Sequence, residues 1–312
     1  FPTRRSSDLV DYHYYRKFAF AGVIIAIVLL CLCFVPGIFV EVNNAKRWIK
    51  LGPLPQFQPS EIAKLAVILF MAHSIDKKGN DITSFARGII PYLLLAGIVA
   101  GLIVIEPNLS TAILIVAIIV GMMFIGGVNL KYMLVLGVAV IVGAVVMMTI
   151  VDWRMGRVNA WLDPWAYRLD EGWQILQSLM ALGAGGIFGQ GLGNGKQKLL
   201  FMPEAENDYI LAHIGEELGL IGTLLVLLAF VYLMLRGIRT AINVQDRFGS
   251  LLASGIMIMI GMQVMINVGV VTNTIPSTGI PLPFLSYGGT SLVINLVAMG
   301  VLLNISKHAN AP

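Results

Sequence analysis

Phe18–Val40 reads FAFAGVIIAIVLLCLCFVPGIFV, a run without one charged side chain. A helix rises about 1.5 Å per residue, so a stretch of this length can cross the roughly 30 Å hydrocarbon core of a bilayer. Working outward, Pro59–Ile75, Gly88–Ile105, Ser110–Ile125, Lys131–Val151, Ile210–Leu235, Phe248–Thr272 and Ser291–Ile305 read the same way. The expectation is an all-α, polytopic transmembrane helix bundle with eight spans. Composition agrees: 57% of the 312 residues are hydrophobic, 12% are charged, and mean hydropathy is +0.84. A soluble domain carries about 25% charged residues.

The formal net charge of +4 is small and argues against nucleic acid as a partner. Where the cations fall is more informative. If the segment before Phe18 is cytoplasmic, the inside loops hold Arg16, Lys17, Lys77, Lys78, Arg87, Lys131, Arg236, Arg239, Arg247 and Lys307. The outside short loops then hold only Lys46, Arg47 and Lys50. The opposite orientation would invert this bias. Cys31 and Cys33 sit two apart in one apolar run and point to different helix faces, which disfavours a disulfide or a metal site. Phe1–Leu9, FPTRRSSDL, has no apolar core after its basic residues and reads as a non-native leader rather than a signal peptide. One membrane domain is expected over 10–312.

Between Val151 and Ile210 the pattern predicts one large extracellular loop, about 152–208. Trp153, Trp161, Trp165 and Trp173 cluster in it as interfacial aromatics do. Trp173–Phe188 reads as an amphipathic helix running into a glycine-rich stretch. A long structured loop on such a bundle is usually functional. No internal repeat is visible, which disfavours an inverted-repeat transporter.

Several polar residues stand out against this background. Glu61 and Lys64 lie three apart on one face of a helix that opens at Pro59, a good first helical residue. Ionisable groups at membrane depth are costly and face a cavity or a partner; an ion pair that only positions a helix end is the structural alternative. Lys46, Arg47 and Trp48 place two cations beside an indole at the outer interface, a set that suits a lipid pyrophosphate. Interfacial anchoring explains it equally well. Lys196 and Lys198 follow the glycines and could approach a phosphate, although close helix packing explains such glycines too. Glu204, Glu206 and Asp208 put three carboxylates within five residues at the mouth of a span. Asp208 is nearest the hydrocarbon, where desolvation moves a carboxyl toward the pKa of a useful base. Favourable interaction with a helix N-terminus is the alternative. Glu216 and Glu217 lie deeper in the same span and suggest buried hydrogen bonding or a hinge. Pro276, Pro281 and Pro283 with Ser286-Tyr287-Gly288-Gly289 predict a kinked, non-helical re-entry, which must be shielded by protein or line a cavity. The histidines His73, His213 and His308 share no metal-ligand spacing.

Together, AKRWIKLGP, FQPSEIAKLA, EPNLSTA, GWQILQSLMALGAGGIFGQGLGNGKQKLLFMPEAENDYILAHIGEELGLIG and TGIPLPFLSYGGTS resemble the SEDS family (shape, elongation, division and sporulation), whose members include FtsW, RodA and SpoVE. The stretches occur in family order and cover the chain from about residue 10 to its end. The resemblance implies a ten-helix fold of which eight spans are present, Phe18–Val40 being the third. It implies a peptidoglycan glycosyltransferase that polymerises lipid II in division, elongation or sporulation. The family's essential aspartate falls on Asp208, its intramembrane pair on Glu61 and Lys64, and its motif tryptophan on Trp48. Two departures are visible. Glu206-Asn207 stands where His-Thr is common, and Asn108 and Ser110 stand where Asp and Gly are common.

The implied reaction joins an acceptor 4-hydroxyl to the anomeric carbon of a donor, with undecaprenyl pyrophosphate leaving. Asp208 is expected as general base, with Lys64 and Glu61 as the other catalytic candidates. Lys46, Arg47, Trp48, Lys196, Lys198, Glu204, Ser286 and Tyr287 are the substrate-binding candidates. No cofactor is expected beyond a divalent cation, Mg2+ or Mn2+, that could assist the leaving group. The implied partners are lipid II, membrane lipids and a class B penicillin-binding protein. The implied location is the bacterial inner membrane, with the active site facing outside. The alternatives are a lipid II flippase, which needs access from the cytoplasmic side, and a scaffold that activates the penicillin-binding protein.

Overall fold

The computed structural model describes residues 11–42, 45–50, 52, 55–149, 152–196 and 207–309. Its elements in chain order are α1 (Tyr15–Leu32), β1 (Phe39–Val42), β2 (Ala45–Ile49), α2 (Pro59–Lys78), α3 (Ile90–Ile105), α4 (Leu109–Ile125), α5 (Leu130–Thr149), α6 (Asp152–Leu162), α7 (Gly172–Gly185), α8 (Ile210–Asn243), α9 (Arg247–Val271) and α10 (Gly289–Ser306). Short 3-10 turns precede α1 and follow α2, and a π-helical turn, Phe85–Ile89, leads into α3. The apolar runs in the sequence coincide with α1 to α5 and α8 to α10. Among the described residues six helices are long and apolar enough to cross a membrane.

The first run corrects the expectation at its end. The helix stops at Leu32, and Phe39–Val42 instead pairs antiparallel with Ala45–Ile49, with Val40 opposite Trp48. Pro36 has no N–H to continue a helix and Gly37 takes φ +90, so the chain turns there. Ile49 also exchanges backbone hydrogen bonds with Phe57, which leads the chain to Pro59 at the head of α2. Among the described residues, the long segment before α8 also holds a helix that the sequence did not lead us to expect, α6. The amphipathic helix predicted to reach Phe188 ends at Gly185.

Two compact units can be distinguished, Phe1–Gly137 with Leu235–Met259 and Val293–Pro312, and Val138–Met234 with Ile260–Leu292. In the first, α2 is buried along most of its length and packs on α1 and α4, while α3 packs on α4. Ile68 and Met71 of α2 and Ile115, Ile118 and Met122 of α4 are all buried. The N-terminal turn is fixed by Tyr12, whose amide donates to Asn304 Oδ1 at 3.0 Å and whose hydroxyl donates to Asp246. Arg16 pairs with Asp76 at 2.8 Å, a half-exposed contact of modest weight.

In the second unit, Tyr209, Leu211 and Ala212 at the head of α8 are buried with Ala181 of α7, Val270 and Val271 of α9, and Leu282. Ser178 Oγ donates to the Val271 carbonyl at 2.9 Å, and Trp161 Nε1 donates to the Asn273 carbonyl at 3.1 Å. By contrast Leu134 and Val135 at the start of α5, and Val138, Ile141, Val142 and Val145 later in it, are exposed, as lipid-facing residues are.

Helix α8 is broken at Gly219, where φ is 68 and ψ is −166. A break exposes backbone polar groups, and the glycine-rich segment after α7 satisfies them. Gln190 and Gly191 amides donate to the carbonyls of Glu216 and Glu217 at 2.9 and 3.0 Å, and Leu220 donates to Gly186 at 2.8 Å. The Glu217 carboxylate accepts from the Gly193 amide at 3.0 Å and that of Glu216 from the Lys196 amide at 2.8 Å. The expectation of buried hydrogen bonding is met at Glu216, whereas Glu217 is half-buried and its bond to Gly193 is exposed. A Cβ at Gly189 (φ 80) would collide with the Glu217 carbonyl, and one at Gly219 with the Gly189 amide. Gly219→Ala should therefore destabilise by at least about 1–3 kcal/mol from backbone strain alone. Gly137→Ala, with nothing within 4 Å of the added methyl, should be neutral or stabilising. Thermal unfolding of the purified variants, followed by tryptophan fluorescence, checks the contrast.

Candidate functional site

In the first unit the polar candidates gather at the hairpin, the head of α2 and the α3–α4 turn. Gln58 is the N-cap residue of α2 and Pro59 its first residue, so Glu61 and Lys64 fall in the first turns. Lys64 Nζ lies 2.8 Å from Glu61 Oε1, and the two side chains are 2% and 5% exposed. Ser60, fully buried, adds a hydroxyl beside them. A pair this dry is held by mutual attraction that must offset several kcal/mol of desolvation per ion.

Arg47 is half-buried and its guanidinium is directed to the α3–α4 turn. Its Nε donates to the Glu106 carbonyl at 3.2 Å and its Nη2 donates to the Pro107 carbonyl. Lys46 is exposed and its ammonium lies 4.5 Å from the centroid of the Phe39 ring. Trp48, half-buried, holds its register opposite Val40. The EPNLSTA motif thus works structurally through its carbonyls, which orient Arg47, and through Asn108, which caps α4 by accepting from the Thr111 amide at 3.4 Å. Glu106 itself is fully buried in that turn. Burial pushes its carboxyl up to about 8, the Cys33 thiol and the Arg47 charge opposing the shift.

In the second unit Asp208 and Asn207 are half-buried just before α8. The Asp208 carbonyl accepts from Asn267 Nδ2 at 2.8 Å, and the same amide group reaches the Ile280 carbonyl at 3.1 Å. The position a Cβ would take at Gly279 lies 3.4 Å from Asp208 Oδ2. The aspartate is therefore set between α9 and the non-helical TGIPLP segment, with its carboxylate beside Gly279. Burial and then the Asp208 charge raise the Tyr209 phenol, to about 12, with Ser277 and Arg157 opposing. Arg157 of α6 is thus a cation within electrostatic reach of the aspartate's neighbour that the sequence reading passed over. Asn267, fully buried, was missed as well. A polar amide in the middle of the apolar run over α9 was the available signal.

Ser286 is buried and its hydroxyl accepts from the Leu282 amide at 2.8 Å, closing the PLPFLS turn. Tyr287 is exposed, and both line a cavity of about 560 Å3 with His213 and Glu217. The side chain of Lys196 is exposed. Lys198 and Glu204 lie outside the described residues, as does Glu206. Among the described residues no group of three His, Cys, Asp or Glu converges as metal ligands would.

Residues 7–311 match the family model for FtsW, RodA and SpoVE, described as cell cycle protein. This chain belongs to that family. A relative from Geobacter sp. (strain M18), "Probable peptidoglycan glycosyltransferase FtsW", is 44% identical over 96% of this chain and 81% of its own length. "Stage V sporulation protein E" of Bacillus subtilis is 43% identical, covering 96% of this chain and 82% of its own. Among solved structures, the rod shape determining protein RodA of Thermus thermophilus superposes with a TM-score of 0.69 at 25% identity, over 97% of this chain and 82% of that one. A chain of a peptidoglycan synthase complex that coordinates polymerisation and crosslinking gives 0.79 at 26% identity, over 96% of this chain and 84% of that one. On the FtsW/RodA/SpoVE fold the motifs quoted from the sequence are the segments that build both polar clusters.

Two outcomes follow from this geometry. Lys64→Met leaves Glu61 charged and unpaired, which should cost about 3–5 kcal/mol, and the double variant Glu61→Leu/Lys64→Met should recover most of that stability. Thermal unfolding measures both; recovery of glycan synthesis along with stability would make the pair purely structural. For Glu106 the folded pKa lies above the ordinary 4.5, so the folded state holds the extra proton. The contribution of Glu106 to stability is then most favourable below pH 4.5 and declines as pH rises toward 8. Glu106→Gln should flatten that slope in unfolding temperatures measured from pH 5 to 9.

Proposed function

We propose that this protein polymerises lipid II into glycan strands at the outer face of the bacterial inner membrane, with Asp208 as general base. It is a peptidoglycan glycosyltransferase of cell-wall synthesis by its family and by the names its relatives carry over nearly the whole chain. The observation that carries the residue assignment is the setting of Asp208. Its carbonyl is anchored by Asn267, and its carboxylate faces a glycine in a non-helical segment. A base whose backbone is anchored in this way keeps its place relative to an incoming hydroxyl.

The chemistry asks little more of the protein. A sugar hydroxyl is a weak nucleophile, so Asp208 takes its proton as the 4-hydroxyl of the acceptor N-acetylglucosamine attacks the anomeric carbon of the donor N-acetylmuramic acid. Undecaprenyl pyrophosphate departs as an anion and needs no general acid, only positive charge where the negative charge concentrates. Within the second unit Lys196 has an exposed side chain that can serve, and Arg157 adds a further cation. Arg47 is turned to the carbonyls of Glu106 and Pro107, so its role is to hold the hairpin against the α3–α4 turn. Displacement without a protein nucleophile on the donor inverts its α linkage to β.

Eight spans of a ten-helix family fold, with residues 152–208 outside, fit the positions of α1 to α5 and α8 to α10 and the inside bias of Lys and Arg. A class B penicillin-binding protein is the partner this reading calls for, since new strands must be crosslinked; the peptidoglycan synthase complex in which the related chain was solved supports it. Asp208→Asn, which keeps size and polarity but cannot take a proton, should lower polymerisation of labelled lipid II by about 10²–10⁴-fold. Glycan ladders of parental strength from a properly folded Asp208→Asn protein would remove Asp208 from the reaction.

A further inference from the structure

At the opposite end of α2 from Glu61 and Lys64, the first unit brings together the last residue of α2, the start of α3, the end of α4 and the start of α9. Lys78 Nζ lies 4.0 Å from the centroid of the Tyr92 ring. Tyr92 is fully buried, and its hydroxyl donates to Ser74 Oγ at 3.1 Å. Arg247 Nη2 donates to the Gly126 carbonyl at 3.1 Å, and its charge acts on the same phenol. Two cations therefore gather about one ring, on the side that the distribution of Lys and Arg assigns to the cytoplasm.

The Lys78 ammonium needs explaining. Its nitrogen is buried and has no hydrogen-bond partner among the described residues. A cation taken out of water without a partner costs free energy, and the face of Tyr92 returns only part of it. The acids of this side do not supply the rest. Asp76 pairs with Arg16 at 2.8 Å, and Asp246 holds the Tyr12 hydroxyl and the Gly249 amide. Asp81 is exposed and pairs with neither cation. Topology alone asks for surplus cations in these loops. It does not ask that one of them be buried without a counter-ion.

The surface beside this pair shows what else a ligand would carry. On α3, Tyr92, Leu95 and Val99 are buried, while Ile90, Leu94 and Ile98 are exposed at four-residue spacing and so share one face. That apolar stripe starts at the level of Tyr92 and runs along the span, as an acyl chain runs from its phosphate.

We propose that Lys78 and Arg247 bind the phosphodiester of an anionic phospholipid, such as phosphatidylglycerol, in the cytoplasmic leaflet, with an acyl chain along Ile90, Leu94 and Ile98. Phosphatidylethanolamine carries an ammonium of its own and suits two cations less well. The bound lipid braces α2 against α9 at the end remote from Glu61 and Lys64. The leaflet follows from the orientation proposed above, and the site does not depend on the role of Asp208.

Native mass spectrometry of the purified protein, with phosphatidylglycerol and phosphatidylethanolamine in equal amounts, tests the preference. The unaltered protein should retain phosphatidylglycerol. One cation near an anionic lipid is worth about fivefold, so Lys78→Met should lower that retention by at least this factor. Lys78→Arg should keep it, and Lys77→Met, at the exposed neighbour, should leave it unchanged. Equal loss in Lys77→Met would mean diffuse attraction and overturns the site, as does the lack of a preference in the unaltered protein. Displacement of the lipid by millimolar inorganic phosphate also overturns it, because the apolar stripe then contributes nothing. Thermal unfolding gives a second measurement. In lipid-free detergent Lys78→Met should be at least as stable as the parent, and added phosphatidylglycerol should raise the unfolding temperature of the parent alone. A Lys78→Met protein that is less stable without lipid would show that the protein itself satisfies the ammonium, and the proposal would fall. Asp208→Asn should retain the lipid like the parent, whether or not it loses polymerisation, so the two assignments fail separately.

Discussion

Hydrocarbon offers no hydrogen-bond partner, so every amide and carbonyl that leaves a helix at membrane depth must find one in protein. The second unit is organised by that constraint. At Gly219 the backbone of α8 departs from the helical ladder, and the carbonyls of Glu216 and Glu217 and the amides of Leu220 and Ile221 are met by the glycine-rich segment from Gly186 to Gly191. Two carboxylates then tie the following residues down through the amides of Gly193 and Lys196. The close backbone approach this requires leaves no room for a side chain at Gly189 or Gly219. Without the pairing, a break in α8 would leave several buried polar groups unmet, each costing free energy.

The same economy explains why so many polar residues serve the fold before they can serve chemistry. Asn267 spends its amide group on two carbonyls, those of Asp208 and Ile280. Ser286 closes a turn, Ser178 links α7 to the end of α9, and Arg47 satisfies the α3–α4 turn. These contacts fix loops that would otherwise be free at a membrane surface. They also anchor the aspartate: the Asn267 amide group ties the Asp208 carbonyl to α9 and to the TGIPLP segment. Positioning is thus a consequence of backbone satisfaction, and the proposed catalytic role uses a direction that the fold already supplies.

Charge is distributed by the same logic in the first unit. Glu61 and Lys64 share a helix face and neutralise one another in a dry environment, while Glu106 is buried in a turn where its protonated form is favoured. Each is a different answer to the expense of a charge away from water, pairing in one case and proton retention in the other. Lys46 and Lys196 instead remain exposed to solvent, Lys46 with its ammonium over the Phe39 ring.

Much of this was legible in the residues alone. Apolar runs located the principal helices because length and hydropathy are local properties. The spacing of Glu61 and Lys64 announced their pairing because a helix turn is local too, and the proline and glycine content of residues 276–289 foretold a non-helical segment. Motif order was enough to indicate the family. What the sequence could not decide depended on contacts between distant segments. The end of the first helix at Leu32 and the hairpin after it needed the pairing of Phe39–Val42 with Ala45–Ile49. The engagement of Arg47, the anchoring of Asp208 through Asn267, and the service of the glycine run to a broken helix all join residues far apart in the chain. Composition states which groups must be satisfied in a membrane. Only the tertiary structure decides which partner satisfies each, because that choice is made by the three-dimensional proximity of segments whose separation along the chain carries no record of it.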